Sequence, residues 1–153
     1  MKLVFVDIDG VMIPLKEESF SSLVFNPIAV AMLNCLTGET GAHIVASSRK
    51  CEDLDLEQVR RVFTANCVHG EVIGRIPSSA IVGTGRILQA DSKGVAIQKW
   101  LDMFRSIEVV ERYVILDDET ISEHPDNSVV VDPTLGFVTF QCHDQARAIL
   151  TGR

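Results

Sequence analysis

The sequence lacks the features that mark membrane, secreted and nucleic-acid-coating proteins. No run approaches the ~18 consecutive apolar residues that a membrane span requires, and we therefore expect no membrane partner. The N-terminus does not follow the pattern of a signal peptide, because Asp7 and Asp9 interrupt its apolar run. Basic residues are scarce, with 14 Lys and Arg against 21 Asp and Glu, so the net charge is −7. This acidic balance argues against a protein that coats nucleic acid, although one small basic pocket would suffice to bind a nucleic-acid end.

Cysteine is also used sparingly, and its pattern gives no sign of disulfides or a metal cluster. The four cysteines are widely separated and form no CxxC pair. A zinc site from Cys51, Cys67 and His69 fits no common ligand spacing, which favours scattered structural thiols instead. Together with the missing signal peptide, this usage predicts reduced thiols in a cytoplasmic protein.

The length and composition suit one compact domain over residues 1–153. Apolar residues make up 46% and charged residues 23%, which allows a core and argues against disorder. The predicted strands are 3–6, 43–46, 71–76, 113–116 and 128–131. The predicted helices between and after them are 27–36, 54–63, 93–104 and 143–150. This alternation predicts an α/β fold whose central, mainly parallel five-stranded sheet is covered on both faces.

Acidic side chains follow two of the predicted strands. Asp7 and Asp9 come directly after residues 3–6, and Asp117 and Asp118 follow residues 113–116. Neighbouring carboxylates repel one another, so their presence at a buried strand end indicates a bound cation or a catalytic role. Because the carboxyl ends of parallel strands share one edge of the sheet, we expect the four acids to meet there. Such an oxygen-rich site suits Mg²⁺.

Phosphate-binding donors stand at similar positions. Ser47 follows the strand predicted at 43–46, with Ser48 as an alternative for the same role, and Lys93 begins the helix predicted at 93–104. A hydroxyl and an ammonium beside a metal are donors for phosphate oxygens. In such a site one carboxylate can attack phosphorus, and a second, two residues on, can act as general acid and base.

The order of these motifs resembles the haloacid dehalogenase (HAD) superfamily. The sequence has Asp-x-Asp-Gly at 7–10, an apolar run before Ser47, then Lys93, then an apolar run before Asp117 and Asp118. This resemblance implies a three-layer Rossmann-like fold, Mg²⁺ dependence and, in most members, phosphatase activity.

The resemblance also implies a role for each motif. Asp7 corresponds to the nucleophile, and Asp9 to the general acid and base, with its backbone carbonyl on Mg²⁺. Ser47 and Lys93 correspond to the phosphate-binding pair. The implied metal ligands are Asp7, Asp9, Asp117 and Asp118. Of the last two, comparison with the Gly-Asp variant of the motif favours Asp118 as the direct ligand.

The intervals between the motifs are too short for the cap domain that many HAD enzymes carry. We therefore expect a capless member with an open site. A flap over residues 12–25 and a partner subunit in a homo-oligomer are the two candidates for covering that site. The segments 44–49, 115–119 and 131–136 are similar to small HAD domains found alone or fused to RNA-repair proteins.

Three further residues are weaker candidates for the site. Arg49 follows the predicted phosphate site and binds either a second anionic group of the substrate or a surface carboxylate. The stretch Gly83-Thr-Gly-Arg86 lacks the lysine of a P-loop and is predicted to be a turn, with Arg86 a weak substrate candidate. His124 is expected in a loop near the rim of the site.

Taken together, the motifs predict a Mg²⁺-dependent phosphomonoester hydrolase acting through an aspartyl-phosphate on Asp7. Its substrate is a small phosphorylated metabolite, a nucleotide or a nucleic-acid end, with the acidic composition favouring a small molecule and the missing cap a bulky one. The alternative is a non-enzymatic phosphate-binding or receiver-like module on the same fold. A receiver has its phosphorylated Asp after a middle strand and its Lys last, whereas here Lys93 precedes the second acid pair.

Overall fold

Five apolar runs form one parallel sheet. The computed structural model of the protein describes residues 1–15, 23–51, 53–77 and 91–153. Its strands are β1 (Lys2–Val6), β2 (His43–Ala46), β3 (Val72–Arg75), β4 (Arg112–Asp117) and β5 (Ser128–Val130). All neighbouring strands are parallel, in the spatial order β3-β2-β1-β4-β5. The five predicted strands are confirmed, and their ends differ from the prediction by one residue at most.

Within the described ranges, four α-helices connect or follow the strands. They are α1 (Pro27–Thr40), α2 (Leu56–Ala65), α3 (Lys93–Phe104) and α4 (Phe140–Thr151). Asn26 caps α1 as its sequence suggests, because its side chain accepts the first free backbone N–H groups. The sequence predicts helical residues 27–36 with closure near Gly38 and Gly41; the closure at Gly41 is confirmed, and the helix extends one turn beyond residue 36. The helix runs past the exposed Gly38 and ends at Gly41, whose φ of 68° is the left-handed conformation that glycine adopts readily.

The helices cover both faces of the sheet and create two cores. Alternate residues of each strand face opposite sides, so β1 contributes Val4 and Val6 to one core, and Leu3 and Phe5 to the other. Helices α1, α2 and α4 close the first core, and α3 closes the second. The predicted three-layer, Rossmann-like α/β fold is therefore confirmed, and the described residues include no cap domain.

Parts of two predictions fall outside the described residues. The ends of the predicted flap are attached to the domain, through Leu15 N–H on Pro133 O at 2.9 Å and Phe25 N–H on Asn66 Oδ1 at 2.8 Å. Residues 16–22 between them, and the turn predicted at 83–86 with Arg86, lie outside the described ranges. Within those ranges, none of the helices combines the length and apolar character that crossing a bilayer requires.

Two glycines provide a matched test of the packing between the sheet and α3. A Cβ added to Gly74 on β3 would lie 2.6 Å from Cζ2 of Trp100, whereas one added to Gly38 would meet nothing within 4 Å. We expect Gly74→Ala to lower the free energy of unfolding by about 1–3 kcal/mol through overpacking. Gly38→Ala should raise it by about 0.5–1 kcal/mol, because alanine is the better helix former. Urea denaturation measures both, and equal effects of the two substitutions would contradict the packing described here.

Candidate active site

Three neighbouring strands, β2, β1 and β4, carry a polar residue at the same level of the carboxyl edge. The central strand β1 ends at Val6, and the backbone bonding continues one residue further. Asp7 N–H donates to Leu116 O of β4 at 3.1 Å, and Ser47 N–H donates to Val6 O at 2.9 Å. Asp7, Ser47 and Asp117, the last residue of β4, consequently form the next row across the sheet.

The same three side chains face helix α3. In each strand the residue two positions earlier belongs to the core beneath α3; these residues are Phe5, Val45 and Ile115. Since side chains of an extended chain alternate between the faces, Asp7, Ser47 and Asp117 continue that face beyond the apolar core. Helix α3 begins at the same edge, with Lys93 as its first residue.

Lys93 joins the two acidic strand ends. Its Nζ lies 3.1 Å from Oδ2 of Asp7 and also forms a close ion pair and hydrogen bond with Oδ2 of Asp117. Burial by itself would lower the pKa of Lys93, but the two carboxylates outweigh it and raise the pKa above its ordinary value. Lys93 is therefore an ammonium at all physiological pH values, bridging β1 and β4.

The loop after β4 fixes the start of α3 and with it Lys93. The Ser92 hydroxyl caps α3 by accepting Val95 N–H at 3.2 Å, and it also hydrogen-bonds to Glu123. His124 Nε2 contacts the Gly94 carbonyl at 2.8 Å. His124 lies in a loop, as predicted, but it is buried rather than at the rim of the site, and it supports α3 from below.

Asp7 is an unusual carboxyl group in this position. Burial is the main cause that raises the pKa of Asp7 to about 6; Lys93 acts to lower the pKa, and the nearby Asp117 acts to raise it. Its Oδ1 accepts the backbone N–H of Ile8 at 2.8 Å, while Oδ2 faces Lys93. The carboxyl group is thus held in one orientation at the end of β1.

Three carboxylates meet at this edge. Asp7, Asp117 and Asp118 each offer an oxygen, and the three oxygens lie within 4.8 Å of one another. Asp117 is almost fully buried, with Oδ2 on Lys93 and Oδ1 accepting Glu119 N–H at 2.9 Å. Asp118 is less buried, and both partial burial and the neighbouring Asp117 raise its pKa. Asp118 therefore has more freedom than Asp117 to bind a ligand.

This donor set fits a hard divalent cation. Three ionised carboxylates and one ammonium leave two negative charges in excess. Burial is the main cause of the raised pKa of Asp7 and of Asp118, and the charge of Asp117 adds to it in both cases. All three ligands offer oxygen atoms, which are the donors that Mg²⁺ prefers. Gly10 leaves room for this cluster, since a Cβ there would lie 2.8 Å from Asp118 Oδ2.

The two candidate serines differ in what their hydroxyls contact. Ser48 Oγ accepts Lys50 N–H at 3.2 Å and so caps the short 3-10 turn Arg49–Cys51. Ser47 Oγ is buried and has no hydrogen-bond partner among the described residues. A buried hydroxyl without a partner is costly, and a ligand oxygen at the sheet edge would satisfy it.

The turn after Ser48 contains a residue that the sequence analysis missed. Lys50 Nζ lies 2.8 Å from Asp9 Oδ1, and its side chain is largely buried. Arg49, which was singled out instead, is exposed and makes no ion pair within the described part of the chain. The Asp9 carboxylate lies with Lys50 rather than in the cluster of three acids. The two basic residues are adjacent in the sequence, and only the geometry of the turn shows that Lys50 contacts Asp9 while Arg49 is exposed.

Comparison with known proteins yields one family. The model of the family described as the HAD domain in Swiss Army Knife RNA repair proteins matches residues 3–141. Comparisons with curated proteins and with solved structures find no match. The matched range includes all of the acidic, serine and lysine residues described above.

The raised pKa of Asp7 predicts that cation binding weakens in acid. A carboxylate must be ionised to bind a metal, and at about pH 5 roughly one Asp7 in ten is ionised if its pKa is about 6. We expect the affinity for Mg²⁺ to fall about tenfold or more between about pH 8 and pH 5, because the pKa of Asp118 is raised as well. Isothermal titration calorimetry measures this. The fall should be smaller in Asp7→Asn, and an equal fall in both proteins would contradict this interpretation.

Proposed function

Because the chain belongs to the family of HAD domains in Swiss Army Knife RNA repair proteins, we propose that it is a Mg²⁺-dependent phosphomonoester hydrolase. The observation that carries this proposal is the meeting of Asp7, Lys93 and the two acids at the end of β4 near Ser47, whose hydroxyl has no hydrogen-bond partner in the described part of the chain. An acidic cluster that suits a cation, next to an ammonium group and a hydroxyl that can donate to phosphate oxygens, has the chemistry of a phosphoryl-transfer site.

In the proposed reaction Asp7 acts as the nucleophile. One of its carboxylate oxygens attacks phosphorus, the bond from phosphorus to the ester oxygen breaks, and Asp9 gives a proton to the departing alcohol. Asp9 then takes a proton from water, which attacks the phosphorus of the aspartyl-phosphate. The acyl-phosphate bond breaks, inorganic phosphate leaves, and the Asp7 carboxylate is restored.

Other residues hold the phosphoryl group during both steps. The Ser47 hydroxyl would donate to a phosphate oxygen, and Lys93 would supply positive charge while it orients Asp7. The metal ligands we propose are the carboxylates of Asp7 and Asp118 with the backbone carbonyl of Asp9, while Asp117 positions Lys93. When bound there, Mg²⁺ would neutralise charge on the transferred group.

Asp9 must change partner to act as a general acid. It is half-exposed, and its Oδ1 lies 2.8 Å from Lys50 Nζ, so the ion pair occupies the carboxylate that must exchange the proton. A substrate phosphate would compete for the Lys50 ammonium, and its arrival would release Asp9 to exchange protons. We therefore place Lys50 among the phosphate-binding groups, and we retain Arg49 as a candidate for a second anionic group.

The family description favours an RNA terminal phosphate as the first substrate class to test. The described residues leave the sheet edge without a cap, which would allow a bulky strand end to reach Asp7. The net charge of −7 would oppose extensive contact with a polyanion, so recognition would be confined to the terminal nucleotides. Nucleotides and small phosphorylated metabolites are the other candidates. The free thiols favour a cytoplasmic protein.

The identity of the nucleophile is tested by Asp7→Asn. We expect the purified protein to hydrolyse p-nitrophenyl phosphate or a 3′- or 5′-phosphorylated oligonucleotide with Mg²⁺, and chelation to abolish turnover. Asp7→Asn should lower kcat roughly a thousandfold or more, because a neutral amide cannot attack phosphorus. Asp126→Asn, an exposed acid in the turn before β5, is the matched control and should leave turnover unchanged. Full activity in Asp7→Asn would contradict the mechanism.

The two serines are separated by paired alanine substitutions. Ser47→Ala should lower kcat/KM roughly tenfold to a hundredfold, the value of a hydrogen bond to a charged group. It should not lower the free energy of unfolding, because no hydrogen bond is lost among the described residues. Ser48→Ala should lower that free energy by about 1 kcal/mol through loss of the turn cap, with a smaller effect on kcat/KM. The reverse pattern would assign phosphate binding to Ser48.

A further inference from the structure

We propose that the protein has a second metal site, for Zn²⁺, between α1 and α4, with Cys35, Glu39 and His143 as its ligands. One donor atom of each residue lies within 4.8 Å of the donor atoms of the other two. This site is separate from the acidic cluster at the sheet edge, and the inference does not depend on the proposed phosphatase activity.

The two helices bring the three side chains together. Cys35 and Glu39 lie one turn apart on α1 and so share a face, where the Cys35 thiol donates to Glu39 Oε1 at 3.2 Å. His143 lies in the first turn of α4, which packs against α1. The thiol and the carboxylate are exposed, which leaves an entry path for an ion, while the imidazole forms the buried base of the site.

The burial of His143 and the missing partner of its ring nitrogen indicate a bound ligand. Its side chain is more than nine-tenths buried, and Nε2 has no hydrogen-bond partner among the described residues. Nδ1 lies 3.7 Å from Asp144 Oδ1, which is longer than a hydrogen bond. A buried ring nitrogen without a partner is unfavourable, and buried polar groups of this kind are normally satisfied. A bound metal ion would use the lone pair of one ring nitrogen and leave the other to donate a proton.

The donor types select the class of metal. Thiolate and imidazole are ligands for borderline ions such as Zn²⁺, and carboxylate oxygen is the third ligand type that Zn²⁺ accepts, which leaves one position of a tetrahedral site open. Mg²⁺ prefers oxygen donors and is expected at the three aspartates instead. On binding, the Cys35 thiol would release its proton to solvent and exchange its hydrogen bond to Glu39 for the metal. Arg147 Nε, 3.9 Å from Glu39 Oε2, would remain beside the carboxylate.

Such a site would fasten α1 to α4. Both helices pack on the same face of the sheet, and their metal ligands come from distant parts of the chain. A metal that binds only the folded protein shifts the folding equilibrium by mass action. The expected role of the ion is therefore to stabilise the domain.

The test is Zn²⁺ binding to the full chain in excess Mg²⁺, which occupies the acidic cluster. Equilibrium dialysis with metal analysis should give one tightly bound Zn²⁺ per chain. Cys35→Ser and His143→Gln should each lower the affinity at least tenfold, while Cys142→Ser, which alters the thiol next to His143, should leave it unchanged. With Co²⁺ as the probe, thiolate-to-metal charge-transfer absorption should appear in the wild type and Cys142→Ser, and be lost in Cys35→Ser.

Thermal denaturation gives an independent readout. Zn²⁺ should raise the Tm of the wild type and of Asp118→Asn, but not that of Cys35→Ser. Because Cys35 is exposed, its substitution by serine should leave the protein folded, and loss of binding would then report loss of a ligand. Equal Zn²⁺ affinity in the wild type and Cys35→Ser would overturn the proposal. So would loss of Zn²⁺ binding in Asp118→Asn with its retention in Cys35→Ser, because the ion would then belong to the acidic cluster.

Discussion

The arrangement of the acidic site depends on the ion pairs that the Lys93 ammonium group makes with two aspartates. The ammonium group stands between the carboxylates of Asp7 and Asp117, which end two neighbouring central strands and would otherwise repel one another in a buried setting. Its position follows from the cap on α3 and from the loop after β4, where His124 and Glu123 contact the first turn of the helix. The ammonium compensates only part of the negative charge, and the remaining excess explains why the cluster suits a divalent cation.

The alternation of residues along parallel strands explains why so much of the site is visible in the sequence. Each polar residue directly follows an apolar run, and parallel pairing brings the three strand ends into one row. The period of two also determines the face, since Asp7 is two residues beyond Phe5, which packs beneath α3. Strand positions, the sheet type and the grouping of Asp7, Asp117 and Lys93 could therefore be predicted from local patterns and motif order.

The failures of prediction have a different physical origin. The sequence could not show that Lys50, rather than Arg49, turns toward Asp9, because a 3-10 turn has no hydrophobic period that defines its faces. The backbone of the same turn donates to the Ser48 hydroxyl, whereas the Ser47 hydroxyl has no partner within the described ranges. His124 is buried because it supports α3 from a loop distant in sequence, and no local pattern signals such a contact. The contacts of all these side chains are set by the tertiary structure of loops and turns at the ends of helices and strands.

The sheet separates the two metal sites that we propose, and their chemistry differs accordingly. Asp7 follows the face of β1 that packs on α3, whereas the adjacent residue Val6 packs on the side of α1 and α4, where Cys35 and His143 lie. Oxygen donors on one side select a hard cation for phosphate chemistry, and sulfur and nitrogen donors on the other select Zn²⁺. Because a packed layer of strands lies between them, Zn²⁺ would affect the acidic site chiefly by changing how much of the protein is folded. If Zn²⁺ acts only by stabilising the folded protein, the KM of the acidic site should not depend on Zn²⁺ once the domain is fully folded. A change in KM on Zn²⁺ binding would instead require that β1 itself moves.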